Sequence, residues 1–259
     1  MSGFLAGWGA VVTGGGRGIG AATAGALAEA GAAVLVAART EAEVEATAAA
    51  LRDAGHDAHA AVCDVTDEAS VAALAETAAG RLPSVDVLVT SAGVAFSAPI
   101  AKTDVADWDR IFAVNARGAF LSTRAFLPGM MERGRGRVVH VASVAGLHGA
   151  RYISAYSASK HALIGLTRSA AAEAAAAGVT VNAVCPGFVD TEMTRESIAR
   201  VVEKTGRPEE EVVQMVLATS QQERLIEPAE VARAILWLCE PDSRGVNGQA
   251  IAIDGGSAL

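Results

Sequence analysis

The sequence is poor in aromatic residues, in cysteine and in positive charge. Only 4% of its 259 residues are aromatic and only three are cysteine. Cys63, Cys185 and Cys239 are odd in number and far apart, with no CxxC pair and no Cys/His cluster. That excludes a disulfide framework and a zinc site, so no metal is expected. Unpaired thiols of this kind fit a reducing, cytoplasmic setting. Lys and Arg number 21 against 29 Asp and Glu, a formal charge of −8. Nucleic-acid binding depends on cations that neutralise phosphates, so it is not expected. No apolar run approaches the ~20 residues of a membrane span. Phe4 to Thr13 is mostly apolar, but no basic residue precedes it and glycines follow, which argues against a secretory signal. Linkers, internal repeats and low-complexity tails are also missing.

What is present is a chain built for a packed core. Hydrophobic residues make up 51% and charged residues 19%, and 58 residues are alanine. Such a composition excludes disorder, and the length suits one larger α/β domain. Short β-type runs alternate with long helical stretches. Strands are expected at Trp8–Val12, Val34–Ala37, Ala58–Val62, Val85–Val89, Arg137–Val141, Val179–Val184 and Ala250–Ile253. Helices are expected at Ala21–Ala30, Glu41–Ala54, Asp67–Ala79, Trp108–Met131 and Ala155–Ala177, with two or three more between Thr191 and Leu238. The alternation predicts an α/β fold: a parallel sheet with helices on both faces. The alanine runs fall inside helices, where alanine is the best former.

The first strand runs into Thr13-Gly14-Gly15-Gly16-Arg17-Gly18-Ile19-Gly20. The spacing is GxxxGxG, from Gly14, Gly18 and Gly20; GxGxxG fails because position 19 is Ile19. Glycines here allow a tight turn and close backbone approach, and the following helix presents its N-terminus to an anion. The second strand ends Ala37-Ala38-Arg39-Thr40. A carboxylate at that point would bind a ribose 2′-hydroxyl, as NAD requires, whereas an arginine pairs with the 2′-phosphate of NADP. With alanine at 38 and Arg39 next to it, NADP(H) is favoured and NAD(H) stays open. Arg17 is a second local positive charge. Glu41 stands nearby and weakens the NADP argument.

Tyr156 and Lys160 lie four residues apart in a helical stretch, on one face. A phenol of pKa ~10 is a poor acid or base near neutrality. An ammonium ~4 Å away at an effective dielectric of ~20 favours the phenolate by roughly 4 kcal/mol before desolvation, enough for a shift of about two to three pK units. Ser143 ends the fifth strand, and ligands of parallel α/β sheets bind at the carboxyl ends of strands. Ser143, Tyr156 and the glycine loop are therefore expected on one edge.

With these motifs in this order, the whole chain resembles the classical short-chain dehydrogenases/reductases. The matching pieces are Thr13–Gly20, Asp64-Val65, Ala92-Gly93, Asn115, Ser143, Tyr156 with Lys160, Pro186-Gly187 with Thr191, and Asp254-Gly255-Gly256. The resemblance implies a single Rossmann-type doubly wound domain over residues 1–259, with a seven-stranded parallel sheet and a substrate-covering helical segment at about 188–225. It implies four catalytic residues. Tyr156 would exchange a proton with the substrate oxygen, Lys160 would lower the Tyr156 pKa and hold the nicotinamide ribose, and Ser143 would hydrogen-bond the substrate oxygen. Asn115 would position a water in a relay from Lys160. The cofactor would be held by Gly14, Gly16, Arg17, Gly18, Ile19 and Gly20 in the loop, by Arg39 and Thr40, and by Asp64 and Val65 at the adenine. Ser91, Ala92 and Gly93 would follow, then Tyr156 and Lys160, with Pro186, Gly187, Val189 and Thr191 at the nicotinamide end. One position departs from the family: Ser91 replaces the usual asparagine, so altered cofactor packing is expected.

The segments around Tyr156–His161 and Val181–Val189 resemble acyl-thioester ketoreductases. They imply NADPH-linked reduction of a 3-oxoacyl thioester or polyketide-like ketone, presented as a small molecule or on an acyl-carrier protein or CoA. The aliphatics between Met193 and Ser220 are consistent with an apolar pocket. A secondary-alcohol dehydrogenase working oxidatively is the alternative. An NADP-sensing regulator is the alternative outside enzymes, and the retained Asn115, Ser143, Tyr156 and Lys160 argue against it. A scaffold has no support in the sequence. The family also implies a homotetramer. Arg151, between Ser143 and Tyr156, is a candidate contact for an acidic substrate group, and the scattered His140, His148 and His161 do not look metal-binding.

Overall fold

The computed structural model describes residues 3–256; residues 1–2 and 257–259 of the expected domain lie outside the described residues. Seven strands form one sheet: β1 (Gly9–Thr13), β2 (Ala33–Ala38), β3 (Ala58–Val62), β4 (Val87–Thr90), β5 (Gly136–Val141), β6 (Val179–Pro186) and β7 (Ala250–Ile253). Their order is β3-β2-β1-β4-β5-β6-β7, and every neighbouring pair is parallel. The helices are α1 (Gly18–Glu29), α2 (Glu41–Asp53), α3 (Glu68–Arg81), α4 (Val105–Phe112), α5 (Gly118–Glu132), α6 (Ser154–Ala174), α7 (Glu192–Thr205), α8 (Glu209–Leu217) and α9 (Pro228–Cys239).

Strand periodicity explains the two layers. Val12, Val34, Val36, Val89 and Val139 point to one face and bury Leu27 of α1, Val44 of α2 and Ile235 of α9. Val11, Leu35, Leu88 and Val138 point to the other, against Leu74 of α3, Phe126 of α5 and Ala174 of α6. A strand covered on both faces is mostly apolar, which is why β1, β2 and β4 read as continuous runs without polar alternation. Buried alanines such as Ala24, Ala48, Ala78 and Ala170 let helices sit close to the sheet. The chain builds β1 to β3 outward on one side of β1 and then returns to place β4 on the other. That reversal opens a crevice at the carboxyl ends of β1 and β4.

Two elements differ from the sequence expectation. Helix α1 begins at Gly18, three residues early, so the last glycines of the motif belong to its first turn. The helix expected at 108–131 is three pieces: α4, a π-helical turn at Ala113–Arg117, and α5. A π turn inserts an extra residue and re-aims a side chain, a feature common at functional sites. Here that side chain is Asn115.

Candidate active site

A cavity of about 930 Å³ lies over the crevice, a size suited to a cofactor-sized ligand. The glycine loop forms one end. Gly14 and Gly18 have φ of +69° and +55°, the left-handed region that only glycine enters freely. A Cβ on Gly14 would sit 2.5 Å from the Ala92 backbone nitrogen, and one on Gly16 would sit 2.8 Å from Cβ of Glu43. The loop is therefore a cradle closed to any side chain of its own, and the first turn of α1 follows it directly. These features fit a dinucleotide phosphate.

Gly14, Gly16, Arg17, Gly18 and Ile19 line the cavity, as do Arg39, Thr40, Asp64, Val65, Ser91, Ala92 and Gly93. Gly20 does not. A Cβ there would lie 2.0 Å from the Gly14 carbonyl oxygen, so this glycine serves close packing of α1 on its own loop. Arg17 also differs from the simple picture of a free phosphate-facing charge: its guanidinium is paired with Glu192 at the start of α7 and lies 4.0 Å from Glu43. Arg39 is exposed at the rim and makes no ion pair among the described residues. Asp64 accepts hydrogen bonds from the Thr66 backbone and hydroxyl at 2.9 and 2.8 Å. These, with the Arg39 charge behind them, hold its carboxyl below the usual range. Ser91 donates its backbone N–H to Thr13 at 3.0 Å, so β1 and β4 stay tied without an asparagine side chain.

Ser143, Tyr156 and Lys160 all line the same cavity. Ser143 follows β5 and accepts from the Ala145 N–H at 3.1 Å. Ser157 donates to the carbonyl oxygens of Ala145 at 2.6 Å and His148 at 3.2 Å. That fixes the turn after Ser143 onto the first turn of α6, and with it the spacing of Ser143 from Tyr156. Lys160 is buried and donates to the Val141 carbonyl at 2.9 Å; its ammonium stands 5.7 Å from the Tyr156 ring centre.

The electrostatics correct the sequence argument. Burial pushes the Tyr156 phenol above its ordinary value, and a hydrogen bond with Ser143 draws it part of the way back. The Lys160 ammonium is engaged by the Val141 carbonyl, and the Ser143 bond is what lowers the phenol here. Burial also lowers Lys160 to about 8. The site thus holds a protonated phenol beside an ammonium at neutral pH, suited to proton donation.

Asn115 is buried and does not line the cavity. Its Oδ1 accepts from the Val94 N–H at 2.9 Å, and its Nδ2 donates to the Val94 carbonyl and to Ser159 Oγ, both at 3.0 Å. The side chain braces the loop after β4 against α6. That loop and α6 carry Gly93 and Lys160, and a Cβ on Gly93 would lie 3.7 Å from Lys160 Nζ.

Pro186, Gly187, Val189 and Thr191 line the cavity beyond β6. The stretch is pinned by Gly187 N–H to Ile253 at 3.0 Å and Asp190 N–H to Ile226 at 2.8 Å. The site also includes residues that sequence reasoning missed: Glu43 beside Gly16, the loop Val94–Ser97, and Arg200. Glu43 had a readable signal, since it stands in the first turn of the helix that follows Arg39. Arg200 had none. Among the described residues no group of three or more His, Cys, Asp or Glu is placed to hold a metal, and no helix is long and apolar enough to cross a membrane.

Anion-cradling glycines and a phenol able to move a proton meet in one cleft, which places the chain among the dinucleotide-linked oxidoreductases. Residues 9–201 match the family described as short chain dehydrogenase, and the chain belongs to that family. It is 44% identical to a cis-4-hydroxycyclohexanecarboxylate dehydrogenase of Sinomonas cyclohexanicum, covering 95% of each chain. It is 40% identical, again over 95% of each, to a chain named as the monensin polyketide synthase putative ketoacyl reductase of Streptomyces virginiae. Among solved structures it resembles a single-substitution variant of the actinorhodin polyketide ketoreductase with NADPH, with a TM-score of 0.93, 35% identity and 98% of both chains covered.

Proposed function

We infer that this chain interconverts a ketone and a secondary alcohol with NADP(H), with Tyr156 as the general acid/base. The observation that carries the reading is the convergence of Ser143, Tyr156 and Lys160 in the cavity whose other end is the glycine cradle and the unpaired Arg39. The nicotinamide cofactor supplies or accepts the hydride when bound. In reduction Tyr156 hands its proton to the substrate oxygen, and burial keeps that proton in place until it is needed. Ser143 donates a hydrogen bond to the same oxygen as charge builds there. Lys160 and Tyr156 also hold the ribose end, Asn115 positions Lys160 through the Val94 loop, and the remaining loop and strand-end residues hold the dinucleotide. Arg39 meets the 2′-phosphate; NAD(H) is the alternative cofactor.

The leading substrate class is a 3-oxoacyl thioester or polyketide-like ketone, carried on an acyl-carrier protein or CoA or free. The ketoreductase likenesses and the apolar residues of α7 and α8 in the cavity wall (Ile198, Val201, Val212, Met215) support it, with the 188–225 segment as the substrate cover. The second reading, oxidation of a hydroxy acid, is favoured by the 44% identity to a hydroxycyclohexanecarboxylate dehydrogenase. We assign the protein to the cytoplasm and to a homotetramer; the exposed Trp108 and Phe120 on α4 and α5 supply apolar surface for such an assembly. Light scattering on the eluted protein checks the tetramer, and a monomer mass removes it. For the chemistry, NADPH and NADH consumption is followed with 3-oxoacyl thioesters, cyclic ketones and oxo acids. Tyr156→Phe should still bind NADPH and lose turnover; undiminished turnover by that variant overturns the mechanism.

A further inference from the structure

Although the chain carries eight more acidic than basic residues, three arginines in the cavity wall have no carboxylate partner among the described residues: Arg39, Arg151 and Arg200. The other cavity-lining arginines are paired, Arg17 with Glu192, Arg195 with Asp190 at 2.7 Å and Arg224 with Glu230 at 2.7 Å. Arg39 belongs to the nucleotide end. The other two lie at the substrate end, and Arg151 is exposed. Arg200 is different. It is half-buried on α7, near the apolar Ile198 and Val201 of the cavity wall, and its one hydrogen bond is a long 3.4 Å contact to the Ala95 carbonyl.

A guanidinium withdrawn from water without a carboxylate is costly. It keeps four further N–H donors in a planar fork that fits a carboxylate with two parallel bonds. Its anchor also fixes its place relative to the chemistry. Ala95 is two residues after Gly93, which abuts Lys160, and two residues span at most about 7 Å. Ala98 N–H binds the Tyr152 carbonyl at 2.7 Å, so the same loop joins the α7 wall to the loop that leads into Tyr156. Asp190 and Glu192, at the start of this wall, are already neutralised by Arg195 and Arg17, and Glu196 and Glu203, one helical turn before and after Arg200 on α7, form no ion pair with it among the described residues.

We propose that Arg200 receives a carboxylate on the substrate itself, so that the preferred ketone or alcohol is an oxo or hydroxy acid with its acid group a few atoms from the reacting carbon. The proposal rests on the oxidoreductase reading above and selects its second substrate class, the hydroxy or oxo acid, over the thioester. An anion has a second source, the phosphates of a CoA carrier. Arg200 is half-buried whereas Arg39 and Arg151 are exposed, which favours an anion on the body of the substrate.

The test compares four ketones with wild type and Arg200→Gln: 4-oxocyclohexanecarboxylate, its methyl ester, and the 3-oxobutyryl thioesters of CoA and of N-acetylcysteamine. Wild type should turn over the acid with kcat/KM at least about tenfold above the ester. Arg200→Gln should raise KM for the acid about 10–100-fold, leave kcat within about twofold, and leave the ester unchanged. Arg200→Lys should recover part of the loss, and a native melting curve for each variant shows that it is folded. Equal losses on acid and ester, or an acid preference that survives Arg200→Gln, overturn the proposal. An Arg200-dependent preference for the CoA thioester over the N-acetylcysteamine thioester, without an acid preference, assigns the anion to the carrier and also overturns it. Turnover of ester and thioesters alone leaves the oxidoreductase reading standing, whereas no turnover of any ketone removes both.

Discussion

Lys160 should destabilise the protein that it serves. The residue is 4% exposed, and burial lowers its pKa from 10.5 to about 8. At about 1.4 kcal/mol per pK unit, the charged form costs the folded state about 3 kcal/mol at neutral pH. Between pH 8 and 10.5 the unfolded chain binds more protons at this site than the folded one. The Lys160 contribution to stability therefore rises with pH across that window, and a Lys160→Met variant lacks it. The variant also strips the Val141 carbonyl of its donor, a pH-independent loss of about 1–3 kcal/mol. At pH 7 the two effects leave Lys160→Met about 0–2 kcal/mol more stable than wild type, or up to roughly 8 °C in Tm at about 2–4 °C per kcal/mol. The cleaner observable is the change with pH: about 2 kcal/mol of the variant's relative advantage should vanish from pH 7 to pH 9.5. Burial also raises Cys63, Cys185 and Cys239, so their thiols lower stability as pH rises past 9 in both proteins alike, and that effect cancels in the difference between them. Urea unfolding of both proteins without cofactor, at one protein concentration and at steps across that range, reads the difference directly. A difference that stays constant, or grows with pH, refutes a buried ammonium.

Three further outcomes follow from the geometry. Arg39→Ala should raise the NADPH KM by about 10–100-fold, the worth of a charge-assisted hydrogen bond pair, and leave the NADH KM unchanged; initial rates with both cofactors measure it, and parallel losses contradict the 2′-phosphate role. Gly20→Ala forces a Cβ to within 2.0 Å of the Gly14 carbonyl oxygen, so α1 must shift; NADPH fluorescence titration should show weakened binding and a melt should show a lower Tm, while an unchanged pair of values would mean that the loop yields freely. Asn115→Ala leaves the Val94 N–H and carbonyl without their side-chain partner; about 1–3 kcal/mol of stability should be lost by urea unfolding, with kcat falling along with it as the Val94 loop loosens beside Lys160.

The fold was legible because its signals are local and repeated. Continuous apolar runs marked the strands, glycines after alanine-rich stretches marked the helix ends, and the order of motifs placed Ser143, Tyr156 and the glycine loop on one edge. Three things were not legible. The π turn at Ala113–Arg117 is set by the bonds that Asn115 makes to Val94 and Ser159, partners 21 and 44 residues away, and no periodicity encodes them. The role of Gly20 was hidden because a glycine needed for packing and one needed for a ligand look the same in sequence. The surroundings of the Tyr156 phenol were not legible because spacing on a helix gives the face that two side chains share, but not which acceptor the lysine chooses. The Val141 carbonyl, brought in from β5, wins that choice.

The charge of the whole chain and the charge of the cleft are opposed, and the opposition is informative. The chain has eight surplus carboxylates, and in the cavity wall Arg17, Arg195 and Arg224 are ion-paired. Arg39 and Arg200 form no ion pair among the described residues and stand at two places along one cavity, with the Ser143–Tyr156–Lys160 group lining it as well. Exposed ion pairs contribute little to stability, so neither arginine is explained by what it adds to the fold. Each is explained by an anion that arrives from solution: a phosphate at the Arg39 rim and a carboxylate at the Arg200 wall. A ligand set with anions at both sites would be held at its two ends, leaving its reacting carbons over Tyr156 with little freedom to slide. That predicts a coupling. In NADPH with the acid substrate, the Arg39→Ala and Arg200→Gln losses in kcat/KM should add as free energies if the two ends bind independently. If each end fixes the register of the other, the double variant should lose less than the product of the single losses. A full double-mutant cycle, run with the methyl ester as the control that removes the Arg200 contact, separates these cases, and additivity with both substrates would show that the cavity does not transmit register between its ends.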